Sequence, residues 1–187
     1  MARRAAVLLI DVQRAFFEGN KGLHAGFPNF KSNVEDLLDL SRQKREAVDL
    51  IHVHASYTDA PWLPSFSALN PTFSASIANY AENTVMDFAK PIDGEAVFHK
   101  TTFDAFFKTG LQYYLEEQEI SQVYCTGLVT SACVLMSAHS AFARGFECTV
   151  LSDVCGDRSQ ERHQAALDTY GDYIFRVTTL NELREEL

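Results

Sequence analysis

Three residues of the chain, Asp11, Lys100 and Cys133, could act together in nucleophilic catalysis. Asp11 follows the apolar run "AAVLLI", Lys100 closes "EAVFHK", and Cys133 follows "SQVYCTG" through the turn "LVTSAC". A cysteine thiol has a pKa of about 8.5 and attacks as the thiolate. A carboxylate can take the thiol proton, and an ammonium ion can keep that carboxylate ionised and oriented. These residue types match the nucleophile, base and orienting group of a catalytic triad, with Lys in place of His.

The residues just before Cys133 predict a binding place for a developing negative charge. A helix is predicted to begin near Thr130 or Ser131, and if either residue caps it, Cys133 lies in the first turn. The first N–H groups of a helix have no partner within it, and its N-terminus carries about half a positive charge. The N–H of Cys133, with a second from the "LVT" turn, could hold the oxyanion of an attacked carbonyl compound.

Each of the three residues also has an ordinary interpretation. A cysteine on an apolar helix face is commonly core filler, an aspartate at a strand end commonly caps a turn, and a lysine is commonly solvated. The catalytic interpretation depends on the three residues sharing one edge of the predicted sheet.

Apolar runs alternate with segments of helical periodicity along the chain. Strands are predicted at 5–12, 48–57, 95–100, 121–127, 146–153 and 173–179, and helices at 30–47, 110–118, from about 131, at 159–171 and at 180–187. This alternation is typical of a parallel sheet that is covered on both faces. Right-handed crossovers place the loops that follow the strands at one edge, where binding and catalytic residues gather. We therefore predict an α/β fold in which the triad residues face one crevice.

The segment from Ala55 to Asp93 does not follow this alternation. It is rich in proline, serine and aromatic residues, and it contains the single tryptophan, Trp62. Long irregular segments in compact domains are usually functional. We predict that this one forms a lid or a pocket wall.

Composition limits the partners of the protein. A chain of 187 residues with 47% hydrophobic content is expected to form one domain, over 1–187, and the net charge of −9 disfavours nucleic-acid and membrane partners. A small-molecule substrate fits better. The N-terminal apolar run reaches Asp11 too early for a signal peptide, which predicts a cytoplasmic protein.

The four cysteines fit no zinc or C-x-x-C spacing. In a reducing compartment they are expected to be free thiols, and a disulfide framework is the alternative. They are Cys125, Cys133, Cys148 and Cys155.

Four motifs, in this order along the chain, resemble those of the isochorismatase-like cysteine hydrolase superfamily: "LLIDVQRAFF", "VFHKTTFDAFFKTGL", "TGLVTSACVLMSAHSAFARGFECTVLSDVCGDRS" and "ERHQAAL". The resemblance implies a three-layer α/β/α sandwich around a six-stranded parallel sheet, with the triad on Asp11, Lys100 and Cys133. It also implies a cis peptide between Leu128 and Val129, with oxyanion donors at the N–H groups of Val129 and Cys133. Phe16 matches the aromatic residue of the D-x-Q-x-x-F motif that lines the pocket in this superfamily, and Trp62 is predicted to form a second wall. For both residues, packing in the core is the alternative. Leu128 is also predicted to line the substrate pocket.

The sequence departs from the nicotinamidases of this superfamily, which carry a D-x-H metal motif after the second strand. Here that strand contains His52 and His54 without such a motif. The two histidines face the same side of a strand, so a metal pair is one interpretation and a core or rim role is the other. We predict no cofactor and no metal. His163 and Asp153 are interpreted as structural.

The predicted activity is cysteine-dependent hydrolysis of a small amide or related C–N bond through a thioester. One alternative is hydrolysis of an isochorismate-like vinyl ether with Asp11 as the acid. The other is a binding or scaffold protein of the same fold. The resemblance also implies a homo-oligomer, either a dimer or a tetramer.

Overall fold

A parallel sheet of six strands forms the centre of the molecule. The computed structural model describes residues 4–57, 60–71 and 84–187. The strands are β1 (Arg4–Ile10), β2 (Val48–Ala55), β3 (Ala96–Lys100), β4 (Ile120–Leu128), β5 (Glu147–Gly156) and β6 (Arg176–Thr178). Their order is β3-β2-β1-β4-β5-β6, and every neighbouring pair is parallel. The predicted six-stranded parallel sheet is confirmed.

Helices cover both faces of this sheet. They are α1 (Arg14–Phe17), α2 (Lys21–Gly26), α3 (Phe30–Gln43), α4 (Leu63–Leu69), α5 (Leu111–Glu117), α6 (Leu135–Ala143), α7 (Gln160–Tyr170) and α8 (Leu180–Glu186). A wide π-type turn, Thr130–Val134, leads into α6. Among the described helices, none is long and apolar enough to cross a membrane. The sequence did not predict α1, α2 and α4, which have four, six and seven residues.

Two hydrophobic cores lie between the sheet and its helices, one on each face of the sheet. On one face, the apolar stripe of α3 packs against the sheet with Phe30, Val34 and Leu37, and α8 adds Leu180 and Leu183. The other core contains apolar residues of α5, α6 and α7. The three-layer arrangement is therefore confirmed.

Several strand ends differ from the predicted ones. β1 stops at Ile10 because Asp11 has a positive φ of 53° and leaves the extended conformation. β2 ends at Ala55, two residues before the predicted end, and β5 continues to Gly156 beyond Asp153. These are differences of a few residues at boundaries that hydrophobicity does not mark.

The segment predicted to be irregular contains regular structure in its described parts. α4 lies within it, and Asp87–Ala89 form a turn of 3₁₀ helix. Residues 58–59 and 72–83 of this segment lie outside the described residues.

Gly127 allows β4 to approach β1 closely at the end that carries the candidate site. It pairs with Ile10 and has a φ of 107°, and a Cβ atom there would collide with the carbonyl group of Ile10. Any other residue would be strained in its own backbone and would push the two strands apart.

We expect Gly127→Ala to lower the free energy of unfolding by about 3 kcal/mol, since it adds both backbone strain and overpacking. The matched control is Gly94→Ala, because Gly94 also has a positive φ but nothing lies within 4 Å of its Cβ position. The control substitution should lower the free energy of unfolding by only about 1 kcal/mol. Urea denaturation measures both values, and equal losses would contradict the role of close approach.

Candidate active site

The candidate site lies where the strand order of the sheet reverses. β1 is flanked by β2 on one side and by β4 on the other, and open parallel sheets bind ligands at such a switch point. Asp11 follows β1 directly, and Cys133 lies in the turn after β4. Lys100 is the last residue of β3, on the far side of β2, and its long side chain spans the distance.

The structure brings the three predicted residues together. The Nζ atom of Lys100 lies 2.8 Å from Oδ2 of Asp11 and 3.4 Å from Sγ of Cys133. Asp11 and Lys100 are completely buried, and Cys133 is 4% exposed. One ammonium group therefore contacts both the carboxylate and the thiol in a site that excludes most water.

Burial dominates the electrostatics of the site. Desolvation raises the pKa of Asp11 above its ordinary value, although Lys100 and Cys133 oppose the shift. Burial also raises the pKa of Cys133 to about 12, against the opposing effect of Lys100. Burial alone would lower the pKa of Lys100, but Asp11 and Cys133 together hold it above its ordinary value. The neutral thiol of Cys133 therefore lies beside the ion pair that Lys100 and Asp11 form at 2.8 Å.

Proton transfer from Cys133 to Asp11 leaves the total charge of this buried site unchanged. Before the transfer the site holds an ammonium ion and a carboxylate, and afterwards it holds an ammonium ion and a thiolate. The transfer removes no additional charge from water. Lys100, which already pairs with the carboxylate, offsets the desolvation penalty of the buried thiolate in the same way. A raised thiol pKa is therefore compatible with a thiolate that forms only when Asp11 takes its proton.

The turn before Cys133 differs in one respect from the sequence-based prediction. The helical segment begins at Thr130, as expected, but its N-cap is Val129 and no side chain caps it. Cys133 is therefore the fourth residue of the segment. The N–H of Val134 donates to the carbonyl oxygen of Val129 at 3.3 Å, and the Leu128–Val129 peptide is cis, as the resemblance implies.

A buried aspartate in place of a helix cap binds this turn. Oδ2 of Asp157 accepts a hydrogen bond from the N–H of Ser131 at 2.6 Å, and Oδ1 accepts one from the N–H of Arg158 at 2.7 Å. Asp157 is completely buried. Sequence reasoning missed this residue, because its partner is far away in the sequence and no local motif marks the contact.

His163 binds the same turn from α7. The hydroxyl of Thr130 donates to the carbonyl oxygen of Gly156 at 3.1 Å, and Nδ1 of His163 lies 2.8 Å from the same hydroxyl oxygen. When the hydroxyl proton is donated to Gly156, the hydroxyl oxygen can accept a hydrogen bond from a protonated Nδ1 of His163. This contact gives His163 the structural role that the sequence suggested.

Gln13, the glutamine of the "DVQ" motif, ties the end of β1 to the end of β2. Its Oε1 accepts from the N–H of Ala55 at 2.7 Å, and its Nε2 donates to the carbonyl oxygen of Ala55 at 3.3 Å. The side chain is almost completely buried. It therefore fixes the backbone that follows Asp11 to the end of β2.

Aromatic side chains stand beside the triad. Tyr57 is completely buried and contacts Trp62, with ring centroids 5.0 Å apart, and Phe16, at 6.4 Å. The indole N–H of Trp62 donates to the carbonyl oxygen of Thr101 at 2.8 Å, close to Lys100 in the chain. Phe103 packs against Tyr57 at 5.8 Å. Phe16 and Trp62 therefore reach the site through Tyr57, whose position at a strand end could have identified it from the sequence.

Leu128 lies in a different environment. Its side chain is completely buried in the core under α3, and it lies near Leu23 and Phe30 around Gly156. Its predicted place in the substrate pocket stays a prediction.

His52 and His54 lie inside β2 and face the same side. Nε2 of His52 is 2.9 Å from Oε2 of Glu95, and the rings of His52 and His54 are 6.0 Å apart. Burial lowers the pKa of both histidines, for His54 to about 4. Among the described residues, no group of three or more His, Cys, Asp or Glu side chains is arranged to hold a metal ion.

All four cysteines are free and buried, as the sequence predicted for the thiols. Sγ of Cys125 lies 3.9 Å from Sγ of Cys148. Burial raises the pKa of Cys155 well above its ordinary value. Cys133, in contrast, contacts the buried ammonium group of Lys100.

We expect Asp157→Asn to lower the free energy of unfolding by about 2 kcal/mol. An asparagine offers one acceptor oxygen to two N–H groups, which leaves a buried donor unsatisfied. The control is Asp153→Asn, because Asp153 is exposed and its Oδ1 accepts from the N–H of Leu180, at 2.9 Å. An amide oxygen can accept the same hydrogen bond, so the control substitution should lower the free energy of unfolding by less than about 0.5 kcal/mol. Equal losses in urea denaturation would contradict the proposed contact.

We expect the protein to lose stability as the pH falls from about 6.5 to about 4, in part through His54. Below pH 6.5 the unfolded chain binds a proton at this residue, whereas burial keeps the folded residue neutral until about pH 4. Denaturation of His54→Gln across this range should show a smaller dependence on pH, by up to one proton. His24→Gln, at an exposed position, should behave like the parent, and parallel curves for all three proteins would refute the assignment.

Comparison with known proteins identifies the family. The isochorismatase domain matches residues 5–182 of the chain. Maleamate amidohydrolase of Pseudomonas putida is 28% identical over 97% of this chain and 88% of its own length, and nicotinamidase 3 of Arabidopsis thaliana is 28% identical over 98% and 88%. A cysteine hydrolase structure from Pseudomonas syringae superimposes with a TM-score of 0.83 at 20% identity, over 97% of this chain and 91% of its own. With the domain match spanning nearly its full length, the chain belongs to the isochorismatase family of hydrolases.

Proposed function

We propose that the protein hydrolyses a small, uncharged carboxamide or related C–N bond, with Cys133 as the nucleophile. The observation that carries this proposal is the single ammonium group of Lys100, which contacts both Asp11 and Cys133. That contact lets the negative charge move from carboxylate to sulfur within a buried site. Both of the curated relatives described above are named for the hydrolysis of amides.

The proposed reaction proceeds through a thioester. Asp11 takes the proton of Cys133, and the thiolate attacks the carbonyl carbon of the amide. The N–H groups of Val129 and Cys133 hold the resulting oxyanion. As the C–N bond breaks, the protonated Asp11 gives its proton to the leaving nitrogen, and an amine or ammonia departs.

Water then completes the cycle. Asp11, again a carboxylate, takes a proton from a water molecule, and the oxygen of that water attacks the thioester. The C–S bond breaks, the carboxylic acid is released, and the proton on Asp11 returns to the sulfur. No step changes the net charge of the three catalytic side chains by more than one unit, because Lys100 stays protonated throughout.

The walls of the site favour a small substrate without a negative charge. Phe16 and Trp62 pack around Tyr57 and are proposed to line the pocket. Between Ala55 and Lys90 the sequence has one basic residue, Lys90 itself, and its Nζ is 2.5 Å from Oδ1 of Asp87. A dianionic substrate would find little compensation from this segment.

We expect Cys133→Ala to lower kcat/KM at least about a thousandfold on any amide that the parent protein hydrolyses, because it removes the nucleophile. The panel should include nicotinamide, maleamate and simple aliphatic and aromatic amides. Release of ammonia measures turnover. Cys155→Ala is the control, since it removes a buried thiol on β5 that does not contact Lys100, and it should retain turnover.

Asp11→Asn should be as inactive as Cys133→Ala, since no other proposed group receives the thiol proton. Mass spectrometry of parent protein quenched during turnover should show an acyl group on Cys133. Full activity of Cys133→Ala on an amide would contradict the proposal. Turnover of an isochorismate-like vinyl ether that persists in Cys133→Ala and is lost in Asp11→Asn would instead indicate vinyl-ether hydrolysis with Asp11 as the acid.

A further inference from the structure

Tyr57 occupies a position between Lys100 and Cys133 that the proposed reaction does not yet use. It lies two residues beyond the end of β2, and its side chain is completely buried. Its hydroxyl oxygen is 2.8 Å from Nζ of Lys100 and 3.6 Å from Sγ of Cys133. The ring packs edge-on against Trp62 and Phe103, which fixes the direction of the hydroxyl group.

The chemistry of the two partners sets the direction of these hydrogen bonds. An ammonium group can only donate, so the oxygen of Tyr57 accepts a proton from Lys100. The oxygen that accepts from Lys100 still carries the phenol proton, and the sulfur of Cys133 lies 3.6 Å from that oxygen. Donation from a cationic group also makes the phenol a stronger donor.

Lys100 alone can donate only a long hydrogen bond to the sulfur of Cys133. Four acceptor atoms surround its three protons: Oδ2 of Asp11 at 2.8 Å, the hydroxyl of Tyr57 at 2.8 Å, the carbonyl oxygen of Thr102 at 3.0 Å and Sγ of Cys133 at 3.4 Å. The sulfur is the most distant of the four. A thiolate at that position would gain from a second, directed donor.

We propose that Tyr57 donates a hydrogen bond to the thiolate of Cys133 and thereby lowers the free energy of the ionised nucleophile. This inference rests on the proposed role of Cys133 as the nucleophile. The same donor acts again when the thioester is cleaved, because a stabilised thiolate is a better leaving group. Tyr57 would therefore assist both the formation and the breakdown of the thioester.

Alkylation of Cys133 tests this inference without any substrate. The rate of reaction with iodoacetamide reports the thiolate fraction, and peptide mass spectrometry with Cys133→Ala as reference assigns the modified residue. Tyr57→Phe keeps the ring and removes only the hydroxyl. We expect alkylation about tenfold slower at each pH between 7 and 9, which corresponds to a pKa about one unit higher.

The matched control is Tyr124→Phe. Tyr124 is also a buried tyrosine, but its hydroxyl donates to Glu186 at 2.7 Å, away from Cys133. Its loss should leave the alkylation rate of Cys133 unchanged. Loosened packing would expose the thiol and accelerate alkylation, so the expected slowing cannot arise from a purely structural role of the hydroxyl. An unchanged or faster rate in folded Tyr57→Phe would overturn the inference.

A second variant keeps the test decisive if Tyr57→Phe does not fold. Fluorotyrosine placed at position 57 retains the hydroxyl and makes it a stronger donor. At a pH where the fluorinated phenol stays protonated, it should accelerate alkylation, whereas the same substitution at position 124 should have no effect. An unchanged rate at position 57 would also overturn the inference. The amide turnover of Cys133→Ala decides the proposed function separately, so the two ideas can fail independently.

Discussion

The buried ammonium group of Lys100 is the interaction on which the rest of the site depends. A lone charge in this interior would be strongly unfavourable, and it persists because Asp11 lies 2.8 Å away. With one cation, the site tolerates one negative charge at a time. Carboxylate, thiolate and oxyanion can each take that place in turn, so the reaction becomes a movement of charge around a fixed centre instead of a creation of charge.

A fixed centre is useful only if the backbone around it is rigid. Gln13 holds the ends of β1 and β2 together, and Gly127 lets β4 come close enough to join them. Asp157 and His163 bind the turn that carries Cys133 from two other elements. These residues contact neither Lys100 nor the sulfur in the hydrogen bonds described above, yet they determine where Cys133, the proposed nucleophile, and the N–H groups of its turn lie.

Much of this arrangement could be predicted from the sequence. The features that could not be predicted are those that depend on contacts between distant segments. Apolar runs that end in Asp11 and Lys100 mark strand ends, and crossover handedness places such ends at one edge. The order of the strands and the partner of the Cys133 turn could not be read, because pairing between distant segments leaves no local pattern. For this reason the sequence predicts a cap at Thr130 or Ser131, whereas in the structure Asp157 binds the turn. Tyr57 was assigned to a strand because its aromatic character resembles the run before it.

The central position of β1 also has a consequence for how the protein matures. β1 is made first, but both of its neighbours come from later parts of the chain, and Cys133 lies in the turn that follows the second of them, β4. Cys133, the proposed nucleophile, meets Asp11, its proposed base, only after these long-range pairings have formed, and such contacts are the slow ones in folding. An incomplete chain carries an ordinary cysteine, and chemical reactivity particular to this site reports that the whole central sheet has been assembled.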